Sequence, residues 1–317
     1  MASIRLATFN CENLFARFKF NEDVNPDEAI IDGWLADKTH FEINDDVSKK
    51  LTGKAISESD ADIIALQEVE SLAALRLFRN TYLDGRGYRH IIVLDGNDPR
   101  FIDVAVMSKY PIEKIDTHIS EWSEEINWFV FSRDCLECDL VLPENKRLRL
   151  FVNHFKSMFD RSDPCNGRKN SRKKRLIQAK RVKEIVLNEF PNGEGAYTII
   201  GDLNDYLESD AQGETSIGEL VNWNNVENVV RRKSSSEQWT HYYEGNSDCG
   251  HPKTFKQLDY ILLSKTLADS NSSAVPDIIR KGLPKNADKY SGPWFDEVGL
   301  DTPKASDHCP VIIEINV

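Results

Sequence analysis

The feature that most constrains this chain is a short apolar run that ends in polar residues, Thr198-Ile199-Ile200-Gly201-Asp202-Leu203-Asn204-Asp205. The branched apolar residues predict a buried strand, and Gly201 allows another group to approach the backbone closely. Asp202 and Asn204 are two residues apart, so an extended strand end presents both on the same side. Taken alone, the stretch is more typical of a strand followed by a polar turn, so its interpretation depends on the rest of the chain.

Polar residues also fall in, or at the end of, apolar strand-like runs at several other places. With the pair above, these positions are Asn10, Glu68, His154, Asp202, Asn204, Asp259, Asp307 and His308. Strand ends can converge on one rim of a sheet, and carboxylates held there are costly unless they bind a metal or another partner. The pattern therefore predicts a polar site at one sheet edge.

Strand-like runs dominate the chain, and helical patterns are scattered between them. The predicted strands cover residues 3–10, 61–69, 89–94, 103–108, 112–118, 129–132, 135–142, 147–154, 198–202, 257–263, 275–280 and 310–316. Helices are predicted from Asp46, from a Ser71 cap to about Tyr82, and from Ser171 to about Glu189. This order indicates helices that cover layers of strands, and we expect one domain over residues 1–317.

The charge and the apolar pattern of the chain limit what it can bind. With 40 basic and 52 acidic residues the net charge is −12, which argues against a protein held on long nucleic acid by its overall charge. No stretch is apolar for long enough to span a bilayer, and the first ten residues resemble a strand rather than a signal peptide. We therefore expect a cytoplasmic protein without a membrane span, and the sequence indicates no protein partner.

The six cysteines do not resemble a disulfide framework in a chain of this size. They are Cys11, Cys135, Cys138, Cys165, Cys249 and Cys309. Cys135 and Cys138 have the CxxC spacing, but no second pair follows, and strand positions three apart face opposite sides. A zinc or redox site at this pair is therefore disfavoured.

Six of the strand-end segments together resemble the endonuclease/exonuclease/phosphatase superfamily, which has the DNase I-like fold. In the family's order they are Thr8-Phe9-Asn10-Cys11-Glu12-Asn13-Leu14-Phe15, Leu66-Gln67-Glu68-Val69-Glu70, Val152-Asn153-His154-Phe155-Lys156-Ser157, Gly201-Asp202-Leu203-Asn204, Gln257-Leu258-Asp259-Tyr260-Ile261-Leu262 and Ser306-Asp307-His308-Cys309-Pro310-Val311. The resemblance implies an α/β (α+β) four-layer sandwich, in which two mixed β-sheets pack face to face and helices flank them. It also implies hydrolysis of phosphate esters at one edge of the sandwich with a divalent cation, usually Mg²⁺ or Mn²⁺.

Three of these residues are candidate metal ligands. Glu68 offers a hard oxygen at a rigid strand end, which suits Mg²⁺. Asn10 would ligate directly or through water, and Asp307 is a candidate ligand for a second metal. The sequence does not decide between one cation and two.

Five residues are candidates for the hydrolytic chemistry, which needs an activated water and stabilisation of the charge on the phosphate. His308 fits the base, and Asp259 fits the partner that fixes its tautomer, as these positions do in the family. Asp202 would hold or polarise the water, and Asn204 would fix its angle or contact a phosphate oxygen. His154 would donate to a non-bridging oxygen. Each residue alone fits a structural role, but the six segments together favour a site.

Two basic residues are candidates for binding the phosphate. Phe131-Ser132-Arg133 resembles the position of a phosphate-binding arginine in DNase I-like nucleases, and an arginine can grip a phosphate with two parallel bonds. Arg133 fits a surface strand charge equally well. Lys156 lies two residues after His154 and would share its face as a weaker phosphate contact.

Histidine at position 154, where the branch resembling apurinic endonucleases has tyrosine, resembles the DNase I, sphingomyelinase and phosphoinositide-phosphatase branches.

The substrate is less constrained than the reaction. The basic run 168–175 and the aromatic cluster of Trp239, His241, Tyr242 and Tyr243 favour a phosphodiesterase or nuclease, although each also fits a solvated helix face or ordinary packing. The net charge and the acidic stretch 17–46, a lid or a surface excursion, favour the alternative of a small phosphorylated metabolite or lipid headgroup. A scaffold without catalysis is a third hypothesis, and the complete set of catalytic residue types argues against it.

Overall fold

The computed structural model describes residues 3–20, 36–40 and 45–317. The acidic stretch 17–46, predicted as a lid or a surface excursion, lies largely outside the described residues. Its described ends, Arg17–Phe20 and Ala36–His40, pair as antiparallel strands. In the described part of the chain, no helix is long and apolar enough to cross a bilayer.

The strands and helices of the described residues are numbered in chain order. The strands are β1 (Ser3–Leu14), β2 (Arg17–Phe20), β3 (Ala36–His40), β4 (Ile63–Val69), β5 (His90–Val93), β6 (Asp103–Ser108), β7 (Ile112–Asp116), β8 (Trp122–Ser123), β9 (Trp128–Phe129), β10 (Cys135–Val141), β11 (Arg147–His154), β12 (Tyr197–Asp202), β13 (Val226–Asn228), β14 (His241–Tyr243), β15 (Thr254–Lys256), β16 (Asp259–Ser264), β17 (Asp277–Ile278) and β18 (Val311–Asn316). The helices are α1 (Asp46–Ser59), α2 (Leu72–Tyr82), α3 (Gly167–Glu189), α4 (Gly218–Val221) and α5 (Lys265–Ser270). Ser71 caps α2 as predicted, because its hydroxyl accepts a hydrogen bond from the backbone N–H of Ala74.

Two six-stranded mixed sheets form the body of the molecule. The first has the strand order β17-β18-β1-β4-β6-β5, with β1 parallel to β4 and antiparallel to β18. The second has the order β13-β16-β12-β11-β10-β7, with β12 parallel to β11 and antiparallel to β16. Among the described residues, the pairs β2-β3, β8-β9 and β14-β15 form two-stranded ribbons.

An apolar core fills the space between the two sheets. The first sheet contributes residues such as Leu6 and Ile63, and the second contributes Val152, Ile200 and Ile261, all fully buried. Alternate residues of the same strands point away from this core, as the two-residue period of a strand requires. Both faces of each sheet are therefore available for packing.

Helices cover the two outer faces. Phe9 of the first sheet packs in one cluster with Leu51 of α1 and Phe78 of α2. Phe151 of the second sheet packs in another cluster with Val182 of α3. The order helix, sheet, sheet, helix is the predicted four-layer sandwich. One domain over residues 1–317 stays a prediction.

The CxxC pair lies in β10, and the strand separates its two members. Cys135 packs in the cluster under α3, whereas Cys138 packs in the core between the sheets. The prediction that the two thiols face opposite sides is confirmed, and they share no site.

Several predicted elements have different limits in the structure, such as β1, which continues to Leu14 rather than ending at Asn10. Helix α3 begins at Gly167 rather than Ser171 and follows directly on the 3-10 turn Pro164–Asn166. The strand predicted over 275–280 is only β17, which follows Pro276 at the sheet edge, and proline has no N–H for a ladder. The strand predicted over 129–132 is only β9, because the chain then turns to bury Phe131.

One disulfide is present where no disulfide framework was predicted. It joins Cys165 and Cys249, which are 84 residues apart in the sequence. The two cysteines lie in separate loops whose proximity depends on the folded sheets, so their spacing in the sequence gives no signal. The other four cysteines are free and buried.

Candidate active site

The two sheets bring their polar strand ends to one edge of the sandwich. Asn10 lies in β1, and Glu68 is the next-to-last residue of β4. In the second sheet, His154 ends β11, Asp202 ends β12 and Asp259 begins β16. Across neighbouring strands, Asp202 is paired with both His154 and Asp259. A hydrogen bond of 3.1 Å from Asn10 Nδ2 to Asp202 Oδ2 connects the first sheet to the second.

The backbone at this edge takes conformations that ordinary strands avoid. Gly201 has φ 135°, and a Cβ there would lie 2.0 Å from the carbonyl oxygen of Asn153, so only glycine fits between β11 and β12. Glu68 and Asn204 have φ values of 64° and 52°. Such left-handed conformations at non-glycine residues cost energy and concentrate at functional sites.

His308 and Asp259 form a buried hydrogen-bonded pair. His308 Nδ1 lies 2.9 and 3.1 Å from the two carboxylate oxygens of Asp259. Thr240 donates a hydrogen bond of 2.7 Å to the same carboxylate. Burial would lower the pKa of His308, but the charges of Asp259 and Asp202 raise it well above its ordinary value. The pair has the arrangement predicted from the sequence, and it leaves Nε2 directed away from Asp259.

Asp202 lies at the centre of the cluster. Asn204 donates to it from the backbone N–H at 2.8 Å and from the side-chain amide at 2.9 Å. His154 Nε2 and His308 Nε2 lie 3.6 and 3.9 Å from Asp202 Oδ2, too far for direct hydrogen bonds. Burial raises the pKa of Asp202 to about 7, Asp259 adds to this effect, and His308 opposes it.

Glu68 and Asn10 occupy the first-sheet side of the cluster. Glu68 Oε2 accepts a 3.0 Å hydrogen bond from the backbone of Asn13, and Oε1 lies 3.8 Å from His154 Nε2. Burial and the charge of Asp307 raise the pKa of Glu68. Asn10 was predicted as a metal ligand, but its oxygen accepts from the Glu12 N–H and its amide nitrogen faces the carboxylates. In this orientation Asn10 holds the carboxylates, and ligation through Oδ1 would require the amide to turn over.

Asp307 has a neighbour whose role the sequence did not reveal. His241, grouped with aromatic residues in the sequence, has its Nε2 3.6 Å from Asp307 Oδ2 and its ring centroid 4.5 Å from that of His308. Burial would raise the pKa of Asp307, but His241 and His308 hold it well below its ordinary value. Thr240, which supports Asp259, was also missed. The sequence gives no signal for either contact, because Thr240 lies 19 positions before Asp259 and His241 lies even further from Asp307.

The surroundings of His154 favour its neutral form. Burial, together with the nearby charges of Arg133 and His308, lowers the pKa of His154 well below its ordinary value. Its Nδ1 atom is buried and has no hydrogen-bond partner among the described residues. A neutral imidazole can still donate from one nitrogen, which fits the predicted contact with a phosphate oxygen.

The two predicted phosphate-binding residues do not point their charges into the cluster. Arg133 is buried, and its guanidinium donates to Asp98 at 3.3 Å and to the carbonyl of Phe155. Lys156 uses its ammonium on its own loop, donating to the carbonyl oxygens of Ser157 at 3.1 Å and Phe159 at 2.8 Å. Arg133 thus places a positive charge near Glu68 and His154 without pointing it into the cluster. A phosphate contact by Lys156 would require its hydrogen bonds to Ser157 and Phe159 to break.

Most cations of the basic run 168–175 are paired within the molecule, whereas Lys169 is exposed. Arg168 and Arg175 are fully buried, and Arg172 and Lys173 pair with Glu214 and Glu125 at 3.1 and 3.5 Å. Lys174 donates to the hydroxyl of Ser132. The spacing of these cations on the sequence suggested a contact surface for a nucleic-acid backbone, but their partners come from distant segments that the run itself does not indicate.

The aromatic cluster predicted as a stacking surface divides into two parts. Trp239 and Tyr242 are buried in a small apolar cluster with Leu283, so they have a packing role. His241 and Tyr243 line a cavity beside His308 and are the two members that a ligand can reach.

The donor atoms at this edge fit a hard divalent cation. Two groups have ligand atoms within 4.8 Å of one another, namely His241, Asp307 and His308, and Asp202, Asp259 and His308. Carboxylate oxygens are the preferred ligands of Mg²⁺ and Mn²⁺, and imidazole suits transition metals. Burial and a neighbouring acidic group raise the pKa values of Glu68 and Asp202, which is the direction expected where carboxylates lack a cation of their own.

Comparison with known proteins gives consistent results over the whole chain. The family model described as "Endonuclease/Exonuclease/phosphatase family" matches residues 5–316. No curated protein matches the chain.

Three solved structures illustrate the likeness of fold. Beta toxin 275-280 from Staphylococcus aureus is 17% identical with a TM-score of 0.60, covering 98% of this chain and 99% of that chain. D. rerio TDP2 complexed with single strand DNA product is 16% identical with a TM-score of 0.56, covering 99% of each chain. The mannosyl-6-phosphatase Bt3783 of Bacteroides thetaiotaomicron VPI-5482 is 14% identical with a TM-score of 0.57, covering 99% of this chain and 100% of that one. At these identities the likeness concerns the fold alone.

Proposed function

Because the chain belongs to the endonuclease/exonuclease/phosphatase family, we propose that it hydrolyses phosphate esters with Mg²⁺ or Mn²⁺ at the sheet edge described above. The observation that carries the proposal is the position of the His308–Asp259 pair, whose free Nε2 lies 3.9 Å from Asp202 Oδ2. Two such groups, close but not bonded to each other, can hold one water or phosphate oxygen between them.

Each residue then has a defined task. Asp259 fixes the tautomer of His308, so that Nε2 accepts the proton of the attacking water. Asp202 orients that water, and Asn204 holds Asp202 through two hydrogen bonds. His154 donates to a non-bridging oxygen as negative charge builds on the phosphate.

The cation would be held by Glu68 and Asp202, with Asn10 orienting both carboxylates, and Asp307 would hold a second one if two are bound. When bound, the cation neutralises charge on the phosphate and lowers the pKa of His308 toward the range in which it accepts a proton. Without it, this edge concentrates carboxylates that repel one another.

The charge of the molecule supports a compact substrate. The net charge is −12. In the basic run, Arg168 and Arg175 are buried, and Arg172 and Lys173 pair with glutamates, so the attraction for a long polyanion is reduced. A phosphorylated metabolite or lipid headgroup is therefore our preferred substrate class, and the mannosyl-6-phosphatase of similar fold is consistent with it. Phosphodiester cleavage in nucleic acid, the first expectation from the sequence, is the second candidate, supported by the fold shared with a TDP2–DNA complex.

A substrate panel with metal titration tests the proposal. Purified protein is assayed with Mg²⁺, Mn²⁺ or a chelator on phosphorylated sugars, polyol phosphates and headgroup esters, and separately on plasmid, single-stranded DNA and RNA. We expect metal-dependent hydrolysis that is absent in His308→Gln and retained in the surface control Glu214→Gln. If no ester in either set is hydrolysed with either metal, the proposed function is wrong.

A further inference from the structure

A cavity of about 290 Å³ opens beside the candidate active site. His308, Asp307 and Asn204 form part of its lining, so a phosphate held at those residues would extend its organic group into this space. The opposite walls come from two loops, here called the 157–167 loop and the 243–256 loop, which are far apart in the sequence.

The 157–167 loop is fixed to the start of α3. A Cβ at Gly167 would lie 1.9 Å from the carbonyl oxygen of Met158, so the loop and the helix are in direct backbone contact. Asp160 accepts hydrogen bonds from the Ser162 N–H and from the side chain of Asn170, each at 2.9 Å. These contacts hold Met158 and the neighbouring Phe159 in the cavity wall.

The 243–256 loop is a compact turn built on the β14-β15 ribbon. Asn246 and His251 exchange two backbone hydrogen bonds of 2.9 Å. The Asn246 side chain accepts from the backbone N–H of Cys249 at 3.3 Å. This turn places Tyr243 and Thr254 in the cavity wall.

The Cys165–Cys249 disulfide ties the two loops to each other. Neither cysteine lines the cavity, but each lies within the braced part of its own loop, so the bond joins the two loops that carry lining residues. Loops without such a cross-link open and close independently at little energetic cost. The bond therefore limits how far the two loops can move apart.

The lining suits a neutral ring. Met158, Phe159 and Tyr243 offer apolar and aromatic surface, and Gln212 and Thr254 offer uncharged hydrogen-bonding groups.

The cations of the lining are already engaged. Arg168 is paired with Asp205 and Asp210, and Lys256 lies 3.7 Å from Glu208 and 4.3 Å from the ring centroid of Tyr206. Among the described lining residues, Arg168 and Lys256 therefore offer a second phosphate less attraction than unpaired cations would.

We propose that this cavity binds a neutral ring in the organic group of the substrate, and that the Cys165–Cys249 disulfide holds its two walls at the required separation. The proposal rests on the proposed function, because the phosphate must be held at His308 and the cation. It makes the substrate a compact ring-bearing phosphate ester and makes its recognition sensitive to reduction.

Phosphonates test the cavity without turnover, because their P–C bond is not hydrolysed. Protein saturated with Mn²⁺ is titrated by calorimetry with inorganic phosphate, ethylphosphonate and benzylphosphonate; the last two differ by a phenyl ring in place of a methyl group. Burial of the ring should make benzylphosphonate bind about tenfold more tightly than ethylphosphonate. Equal affinity of the two would overturn the proposal. If inorganic phosphate does not bind, the proposed function fails instead, and the cavity proposal fails with it.

Phe159→Ala and Phe101→Ala form a matched pair of variants, because both side chains are 59% exposed and only Phe159 lines the cavity. We expect Phe159→Ala to reduce the preference for benzylphosphonate and Phe101→Ala to keep it. An equal effect of the two substitutions would contradict the position assigned to the ring.

The disulfide is tested with the double variant Cys165→Ser/Cys249→Ser. We expect it to lose the preference for benzylphosphonate while binding inorganic phosphate as the wild type does, which also shows that it is folded. Dithiothreitol should abolish the preference in the wild type and change nothing further in the double variant, which keeps the four other cysteines. A preference that survives in the double variant would overturn the role of the disulfide.

Discussion

Two clusters of buried charge in this molecule are built in opposite ways. In the first, the candidate active site, the nearest imidazole nitrogens lie 3.6 and 3.9 Å from Asp202. In the second, here called the arginine cluster, Asp205 accepts hydrogen bonds from Arg168 at 2.8 Å, Ser216 N–H at 2.7 Å and Tyr206 N–H at 3.0 Å. Both carboxylates are fully buried, so burial alone does not distinguish a site from a support.

The difference lies in whether the charges are compensated within the protein. Arg168 donates to Asp205, Asp210 and three backbone carbonyls, so the arginine cluster needs nothing from outside. The candidate active site instead places Asp202 near Asp259, which helps burial to raise the pKa of Asp202 to about 7. Removing one member of a paired buried cluster destabilises the fold, whereas a cluster with uncompensated charge can bind a cation and a reacting group.

The sharpest test of this contrast is the substitution Asp202→Asn. Activity should fall by about a thousandfold or more, because the amide neither orients water as a carboxylate does nor binds the cation. The midpoint of thermal unfolding should change little, because among the described residues no arginine or lysine is paired with this carboxylate, and asparagine can still accept hydrogen bonds through one oxygen. Initial rates and thermal unfolding of the same preparation measure both, and normal turnover would overturn the assignment of Asp202.

Asp205→Asn should show the reverse pattern. It leaves Arg168 and Arg175 without their buried carboxylate, so the free energy of unfolding should fall by about 3–5 kcal/mol, while the folded fraction keeps its activity. Denaturant unfolding measures the loss. Glu214→Gln, which removes the exposed partner of Arg172, is the control and should cost less than about 1 kcal/mol. Equal losses in the two variants would break the comparison.

Metal binding should stabilise the protein through the candidate active site alone. At a Mn²⁺ concentration of about 100 times Kd, the gain is about 2.7 kcal/mol. The gain should shrink strongly in Glu68→Gln and stay unchanged in Glu214→Gln. Thermal unfolding with and without Mn²⁺ measures it, and an undiminished gain in Glu68→Gln would place the cation elsewhere.

A smaller effect is expected from a third, half-buried cluster, where His118 contacts Glu121 at 2.8 Å and Glu137 at 2.6 Å. Burial would lower the pKa of His118, but hydrogen bonds to the two glutamates raise it above its ordinary value. The stabilisation is therefore complete below the ordinary histidine pKa and is lost as the pH rises through the higher folded value. Because the cluster is partly exposed, we expect less than about 1 kcal/mol.

Unfolding measured across this pH range in the wild type and in His118→Gln tests the effect. The wild type should lose stability relative to the variant as the pH rises. A difference in stability between wild type and variant that does not change with pH would contradict the raised pKa of His118.

The sequence was sufficient to predict which residues meet at the sheet edge, but it was insufficient to predict the contacts of the residues around that edge. Strands such as β4 and the ends at His154 and Asp202 follow from local apolar runs, and parallel or neighbouring strands must place their ends together. The internal use of Arg168 and Arg175 could not be predicted, because their partner Asp205 lies in a loop folded over the helix. The orientation of Arg133 and the contact between His241 and Asp307 likewise depend on loops whose paths carry no periodic signal.

The position of the cation and the phosphate decides whether this sheet edge is the active site. Crystals grown with Mn²⁺ and inorganic phosphate would give the metal position from anomalous scattering at the manganese edge. We expect Mn²⁺ on the carboxylates of Glu68 and Asp202, with phosphate oxygens at His154 and His308. Manganese bound away from these carboxylates, or phosphate at another surface while this edge holds neither, would contradict it.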